Sequence, residues 1–117
     1  MKLAVVGSRN IDESFVYQYL SEHIPKDTEE IVTGGAKGTD SVAIRFANDN
    51  NIKLTLFSPE YNLYKKGAPL KRNLLISEYS DYAIVFWDGE SKGTKHIIKC
   101  FSDKNIDFEL IYVKRPL

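Results

Sequence analysis

Thr33-Gly34-Gly35-Ala36-Lys37-Gly38-Thr39-Asp40 follows the short apolar run Ile31-Val32 and precedes a helical pattern that begins near Ser41. Two adjacent glycines and a third three residues on let the backbone turn left-handed and let a neighbour approach closely. Peptide N–H groups of such a loop, with those of the next helix's first turn, can converge on an anion. The stretch reads as strand, glycine-bearing loop and helix. A tight strand-to-helix turn needs glycine with or without a ligand, so the loop alone is weak evidence for binding. Its weight comes from recurrence, because the chain repeats the device twice more.

Working towards the N-terminus, Leu3-Ala4-Val5-Val6 is an unbroken apolar run, the pattern of a strand covered on both faces. Gly7-Ser8-Arg9-Asn10 follows it, with Asp12 as the helix cap and Phe15, Val16, Tyr19 and Leu20 on one helical face. Pro25 closes that helix. After the central loop, Val42, Ala43, Phe46 and Ala47 repeat the facial spacing, and a third strand runs from Lys53 to Phe57. Leu54 and Leu56 alternate there with polar neighbours, which suggests an edge. Residues 58–69 read as the longest loop. Pro69 suits the first turn of a third helix, with Leu70, Leu74, Leu75 and Tyr79 expected inward. Tyr82 to Trp87 is a fourth strand, again continuously apolar, and Asp88-Gly89-Glu90-Ser91-Lys92-Gly93-Thr94 is the third polar, glycine-bearing loop. A fourth helix carries Ile97, Cys100 and Phe101 on one face, and Asp107 to Val113 is the last strand.

Five strands alternating with four helices call for an α/β domain with a parallel sheet and right-handed crossovers. The continuously apolar first and fourth strands belong in the centre, and the alternating third and fifth at the edges. The order is then 3-2-1-4-5, with helices on both faces and the topological switch between strands one and four. Ligands of open α/β sheets sit in the crevice at such a switch, beyond the strands' carboxyl ends. The three glycine-bearing loops follow strands that are neighbours in this order, so all three should line one crevice.

Composition sets the frame for that site. The 117 residues make one domain, 1–117, able to bury roughly two-thirds of its unfolded surface. Sixteen basic residues balance sixteen acidic ones, so bulk charge favours neither nucleic acid nor membrane. The single Cys100 excludes an internal disulfide and a cysteine-built metal site. No apolar stretch approaches the roughly 20 residues of a membrane span, and the chain enters its first strand without a cleavable signal, so a cytoplasmic setting is expected. No metal or cofactor is called for.

The residue types in the loops fit a phosphorylated, ribose-containing ligand. Gly7, Ser8, Gly34, Gly35, Ala36, Gly38 and Thr39 supply backbone N–H groups and hydroxyls, and Gly89, Ser91, Gly93 and Thr94 repeat that supply across the switch. Arg9 suits two-point recognition of a phosphate. Asp40 and Asp88 are acceptors for ribose hydroxyls or a base amino group, although a helix cap explains Asp40 equally well. Lys65, Lys66, Lys71 and Arg72 put four positive charges within eight residues, a local attractor of anions. Arg72 lies off the expected inward face of its helix and so is the favoured side chain among them, with Asn73 beside it. Trp87 ends a buried strand, where core packing competes with a role as lid or stacking surface.

Four motifs in this order resemble a known family: Leu3-Ala-Val-Val-Gly-Ser-Arg9, Thr33-Gly-Gly-Ala-Lys-Gly-Thr-Asp40, Lys71-Arg-Asn73 and Phe86-Trp-Asp-Gly-Glu-Ser-Lys-Gly-Thr-Lys95. Together they look like the YspA/YpsA-related branch of the SLOG superfamily, and the resemblance covers nearly the whole chain. That superfamily also groups the DNA-processing protein A domain and the "Lonely guy" phosphoribohydrolases. The resemblance implies a Rossmann-like, three-layer fold, a bacterial or phage setting, and binding of nucleotides, nucleotide derivatives or, in one branch, single-stranded DNA. The phosphoribohydrolases carry glycine-glycine-x-glycine-threonine-x-x-glutamate after the fourth strand and a catalytic arginine on the preceding helix. Arg72 matches the arginine, but the glutamate position falls on Ile97, which cannot activate water. Asp88 or Glu90 could substitute only by folding over the ligand.

The favoured reading is therefore a domain that binds or senses a small nucleotide-class ligand, with room for a homodimer. The alternatives are an N-glycosidic hydrolase acting on nucleoside monophosphates, with Arg72, Asp88 and Glu90 as catalytic candidates, and a single-strand nucleic-acid binder. The neutral balance and confined basic cluster argue against the last. Enzymatic activity is left open.

Overall fold

The computed structural model describes residues 1–116. Its five strands are β1 (Lys2–Gly7), β2 (Glu30–Thr33), β3 (Lys53–Leu56), β4 (Tyr82–Trp87) and β5 (Phe108–Tyr112). They form one parallel sheet of order β3-β2-β1-β4-β5, the Rossmann-like arrangement that the apolar patterning predicts. The main helices are α1 (Glu13–His23), α2 (Thr39–Asp49), α4 (Ala68–Tyr79) and α5 (Lys92–Asp103).

Strand alternation divides the core into two layers. Leu3, Val5, Ile31, Ile84 and Phe86 face Val16 and Leu20 of α1 and Val42, Ala43, Phe46 and Ala47 of α2. Ala4, Val6, Val32, Ala83 and Val85 face Ile76 of α4 and Ile97 and Phe101 of α5. β1 from Leu3 to Val6 and β4 from Ala83 to Phe86 are continuously apolar because both of their faces are covered. Full burial of side chains such as Leu3, Ile84 and Phe86 contributes about 1.5–3 kcal/mol each.

Three local expectations are corrected. The segment expected as a long loop holds a single-turn helix, α3 (Tyr61–Tyr64), and a 3-10 turn at Lys65–Gly67, so the described residues form a fifth α-helix. The Glu60 carbonyl accepts from both Leu63 and Tyr64 amides, a turn too short to show periodicity and without a buried residue. In α4 the inward residues are Ala68, Asn73, Ile76 and Ser77, whereas Leu70 is exposed and Leu74 and Leu75 are half-buried. Two polar residues sit inside because each has a bond there: Asn73 to α5, and Ser77 to the Leu74 carbonyl. Phe15 lies 43% exposed beside the ring of Tyr19, outside the core face of α1. Leu56, at the end of edge strand β3, is exposed as well and covers Gly35. No helix among the described residues is long and apolar enough to cross a membrane.

Candidate functional site

The loops after β1, β2 and β4 meet at the carboxyl ends of their strands and border a crevice of about 380 Å³. It opens on the α4–α5 side of the sheet. Its floor is apolar, from Val6, Ile76 and Ile97, and its walls carry the charged groups. The volume falls in the range of small-molecule sites.

Much of the donor supply expected for a ligand is spent inside the loops. Asp40, 4% exposed at the start of α2, accepts the amides of Gly34 and Ala36 at 3.2 Å each on one carboxylate oxygen. Burial pushes the Asp40 carboxyl above its ordinary value, against the opposing pull of these amides and of Arg72. The Thr39 amide and hydroxyl both donate to the Ser8 carbonyl, at 3.2 and 3.0 Å. Ser8 in turn takes the Asp88 amide on its hydroxyl at 3.0 Å. Ser91 caps α5 and shares a bond with the Thr94 hydroxyl at 3.1 Å, which lies 3.4 Å from Ser8. A chain of hydroxyls thus fastens the β1 loop to the entry of α5.

Close backbone approach accounts for two glycines. A Cβ at Gly7 would lie 2.0 Å from the Phe86 carbonyl oxygen, and one at Gly38 would lie 2.2 Å from that of Arg9. Gly38, at φ 74°, and Gly35, at φ 77°, also hold left-handed backbone.

Arg72 is the link between α4 and the β2 loop. Its Nη1 donates to the Gly34 carbonyl at 2.8 Å and its Nε to Asn73 Oδ1 at 3.0 Å. Asn73 Nδ2 reaches His96 Nδ1 at 3.0 Å and the Gly93 carbonyl at 3.4 Å, so α4 is tied to both walls by adjacent residues. Burial lowers the Arg72 pKa and the Asp40 charge opposes that change. Arg9 lies exposed on the β1 loop, where its charge is felt by Arg72. Among the described residues neither guanidinium forms an ion pair.

The opposite wall is acidic and closed by a residue that the sequence reading passed over. Asp88 Oδ1 accepts the amides of Glu90 and Ser91 at 2.9 and 2.8 Å. Asp88 Oδ2 meets Arg115 Nε at 3.1 Å, and Glu90 Oε2 meets Arg115 Nη2 at 2.7 Å. Burial pushes the Asp88 carboxyl up, but the two amides and the guanidinium outweigh it and hold the pKa at about 2. Arg115 follows β5 in a segment without motif or periodicity, 27 residues from its partner, so no local signal marks it.

Of the expected site residues, Gly7, Arg9, Ala36, Asp40, Arg72 and Asn73 border the crevice, as do Asp88, Glu90, Ser91, Gly93 and Thr94. Ser8, Gly34, Gly35, Gly38, Thr39, Trp87 and Gly89 do not. Trp87 instead donates to the Ser91 carbonyl at 3.1 Å and leans on Tyr112, with ring centres 5.7 Å apart. Lys65, Lys66 and Lys71 also stand outside, with Lys71 over the ring of Tyr64. Asn10, Pro69, Leu70 and the floor residues Val6 and Ile76 complete the lining. The floor escaped notice because its residues read as core, which they also are. No protein-family model, curated protein or solved structure matches the chain.

Proposed function

We propose that this protein binds a small nucleotide or nucleotide derivative in the crevice between the β1, β2 and β4 loops. One observation carries the reading: Arg9 and Arg72 border the same cavity and neither is in an ion pair among the described residues. Two guanidiniums without carboxylate partners, beside the entry of α5, favour a phosphate. The apolar floor of Val6, Ile76 and Ile97 suits the flat face of a base. The resemblance to the YspA/YpsA-related branch of the SLOG superfamily, and with it the cytoplasmic setting, belongs to the same proposal.

Binding is favoured over hydrolysis by the state of the carboxylates. Asp40 is taken up by loop amides, and Asp88 and Glu90 by Arg115. Ile97 borders the cavity where the resemblance asks for glutamate. A general acid needs a pKa near the working pH, and Asp88 at about 2 is far below it.

The test is thermal stabilisation by a panel of AMP, ADP, GMP, GDP and ADP-ribose. A nucleotide at about 100 times its dissociation constant adds roughly 2.7 kcal/mol. Arg9→Ala should abolish the gain. Absence of any shift across the panel overturns the reading.

A further inference from the structure

We propose that the segment after β5 completes this site, with Arg115 making the crevice selective for anions by neutralising the two carboxylates of the β4 loop. The inference rests on the binding reading above. Asp88 stands on the crevice wall with its side chain only 4% exposed beneath Arg115. Its Oδ1 is spent on two amides, and among the described residues the single group that meets Oδ2 is Arg115. The same guanidinium reaches Glu90 through Nη2, so one planar fork closes both carboxylates. The geometry is prepared two residues earlier. Val113 is buried in the α1–α2 core layer and its amide donates to the Trp87 carbonyl at 2.9 Å, which aims the following residues back across the β4 loop.

The consequence concerns the opposite wall. Asp88 and Glu90 border the same 380 Å³ space as Arg9 and Arg72. Without Arg115 they would face those guanidiniums as competing partners and repel an incoming phosphate. With Arg115 in place, the unpaired positive charge is left to the ligand. Arg115 is therefore a positioning and specificity residue, supplied from outside the three glycine-bearing loops.

The experiment compares AMP, ADP and ADP-ribose affinities by calorimetry at low salt in wild type, Arg115→Gln, Arg115→Lys and the triple variant Arg115→Gln/Asp88→Asn/Glu90→Gln. Arg115→Gln should weaken binding about tenfold or more, Arg115→Lys should weaken it less, because it keeps the charge but loses the fork, and the triple variant should recover. A merely structural role would not be rescued by removing the acids. In the ligand-free protein, the Asp88 carboxyl should titrate above its wild-type value of about 2 when Arg115 is Gln. Equal affinities in wild type and Arg115→Gln, a triple variant as weak as Arg115→Gln, or an unmoved Asp88 titration overturns the proposal while the binding reading stands. Failure of wild type to bind any of the three probes, with no stabilisation by GMP or GDP, overturns that reading, and with it the selectivity assigned to Arg115.

Discussion

Arg72 Nη1 lies 2.8 Å from the carbonyl oxygen of Gly34, and a Cβ on Gly34 would lie 2.5 Å from that same nitrogen. The glycine is there because the arginine is. α4 therefore holds the β2 loop with a charged donor before any ligand is bound. We predict that Arg72→Ala lowers ligand-free stability by about 1.5–3 kcal/mol, the worth of a hydrogen bond to a charged group. Urea unfolding measures it, with the slope unchanged. A variant as stable as wild type would show that the bond does not tether the loop.

The glycines of the loops should separate by mechanism. At Gly35 an alanine meets only Leu56 at 3.6 Å and suffers the left-handed φ of 77°. Gly35→Ala should cost about 1–2 kcal/mol. At Gly7 the new Cβ would sit 2.0 Å from a backbone oxygen that also accepts the Ser8 amide, so no side-chain adjustment relieves it. Gly7→Ala should be markedly less stable than Gly35→Ala in parallel thermal melts. The reverse order would refute the close approach of β1 and β4 at this point.

Asp88 should leave a mark on the acid limb of stability. Its folded pKa of about 2 lies below the ordinary aspartate value, so its bonds stabilise the fold fully above about pH 4 and are lost as pH falls through 2. Asp88→Asn keeps an oxygen for the Glu90 and Ser91 amides but removes the charge. Its unfolding free energy should fall less steeply than wild type between pH 4 and 2. Parallel curves would mean that neither the two amides nor Arg115 holds the Asp88 carboxyl below its ordinary value. Glu30 is a second group held low, because bonds from Thr55, Tyr79 and Lys53 overcome the effect of burial, so some acid dependence persists in the variant.

AMP should remain intact in the presence of the protein. Free adenine that scales with protein and disappears in Arg72→Ala would contradict this, since no unpaired carboxylate borders the crevice among the described residues. Asp88→Asn and Glu90→Gln would then identify the carboxylate responsible.

The sheet order was legible because burial on two faces writes itself into a strand as an unbroken apolar run. Leu3 to Val6 and Ala83 to Phe86 carry that signature and lie in the middle. The buried face of α4 was not legible, because Asn73 and Ser77 look like surface residues until their partners in α5 and at Leu74 are known. The meeting of three loops followed from topology alone. Which donors those loops keep for a ligand did not, since Asp40 consumes amides through contacts that only the folded loop creates. Arg115 lay beyond reach for a different reason: an ion pair 27 residues apart leaves no spacing to recognise.

Asp40 gives the glycine-rich loop a character that composition alone does not suggest. The amides of Gly34 and Ala36 already hold a carboxyl oxygen, and that oxygen is part of the chain. Being covalently attached, it is present at an effective concentration that sets a high threshold for any dissolved competitor. A phosphate could reach these two amides only by evicting a resident carboxyl, so recognition passes to side chains whose donors are not pre-empted. The loop is also finished before binding begins, which removes an ordering cost from association. Empty and nucleotide-saturated protein should accordingly show the same amide chemical shifts at residues 34 and 36, while the guanidinium resonances of Arg9 move.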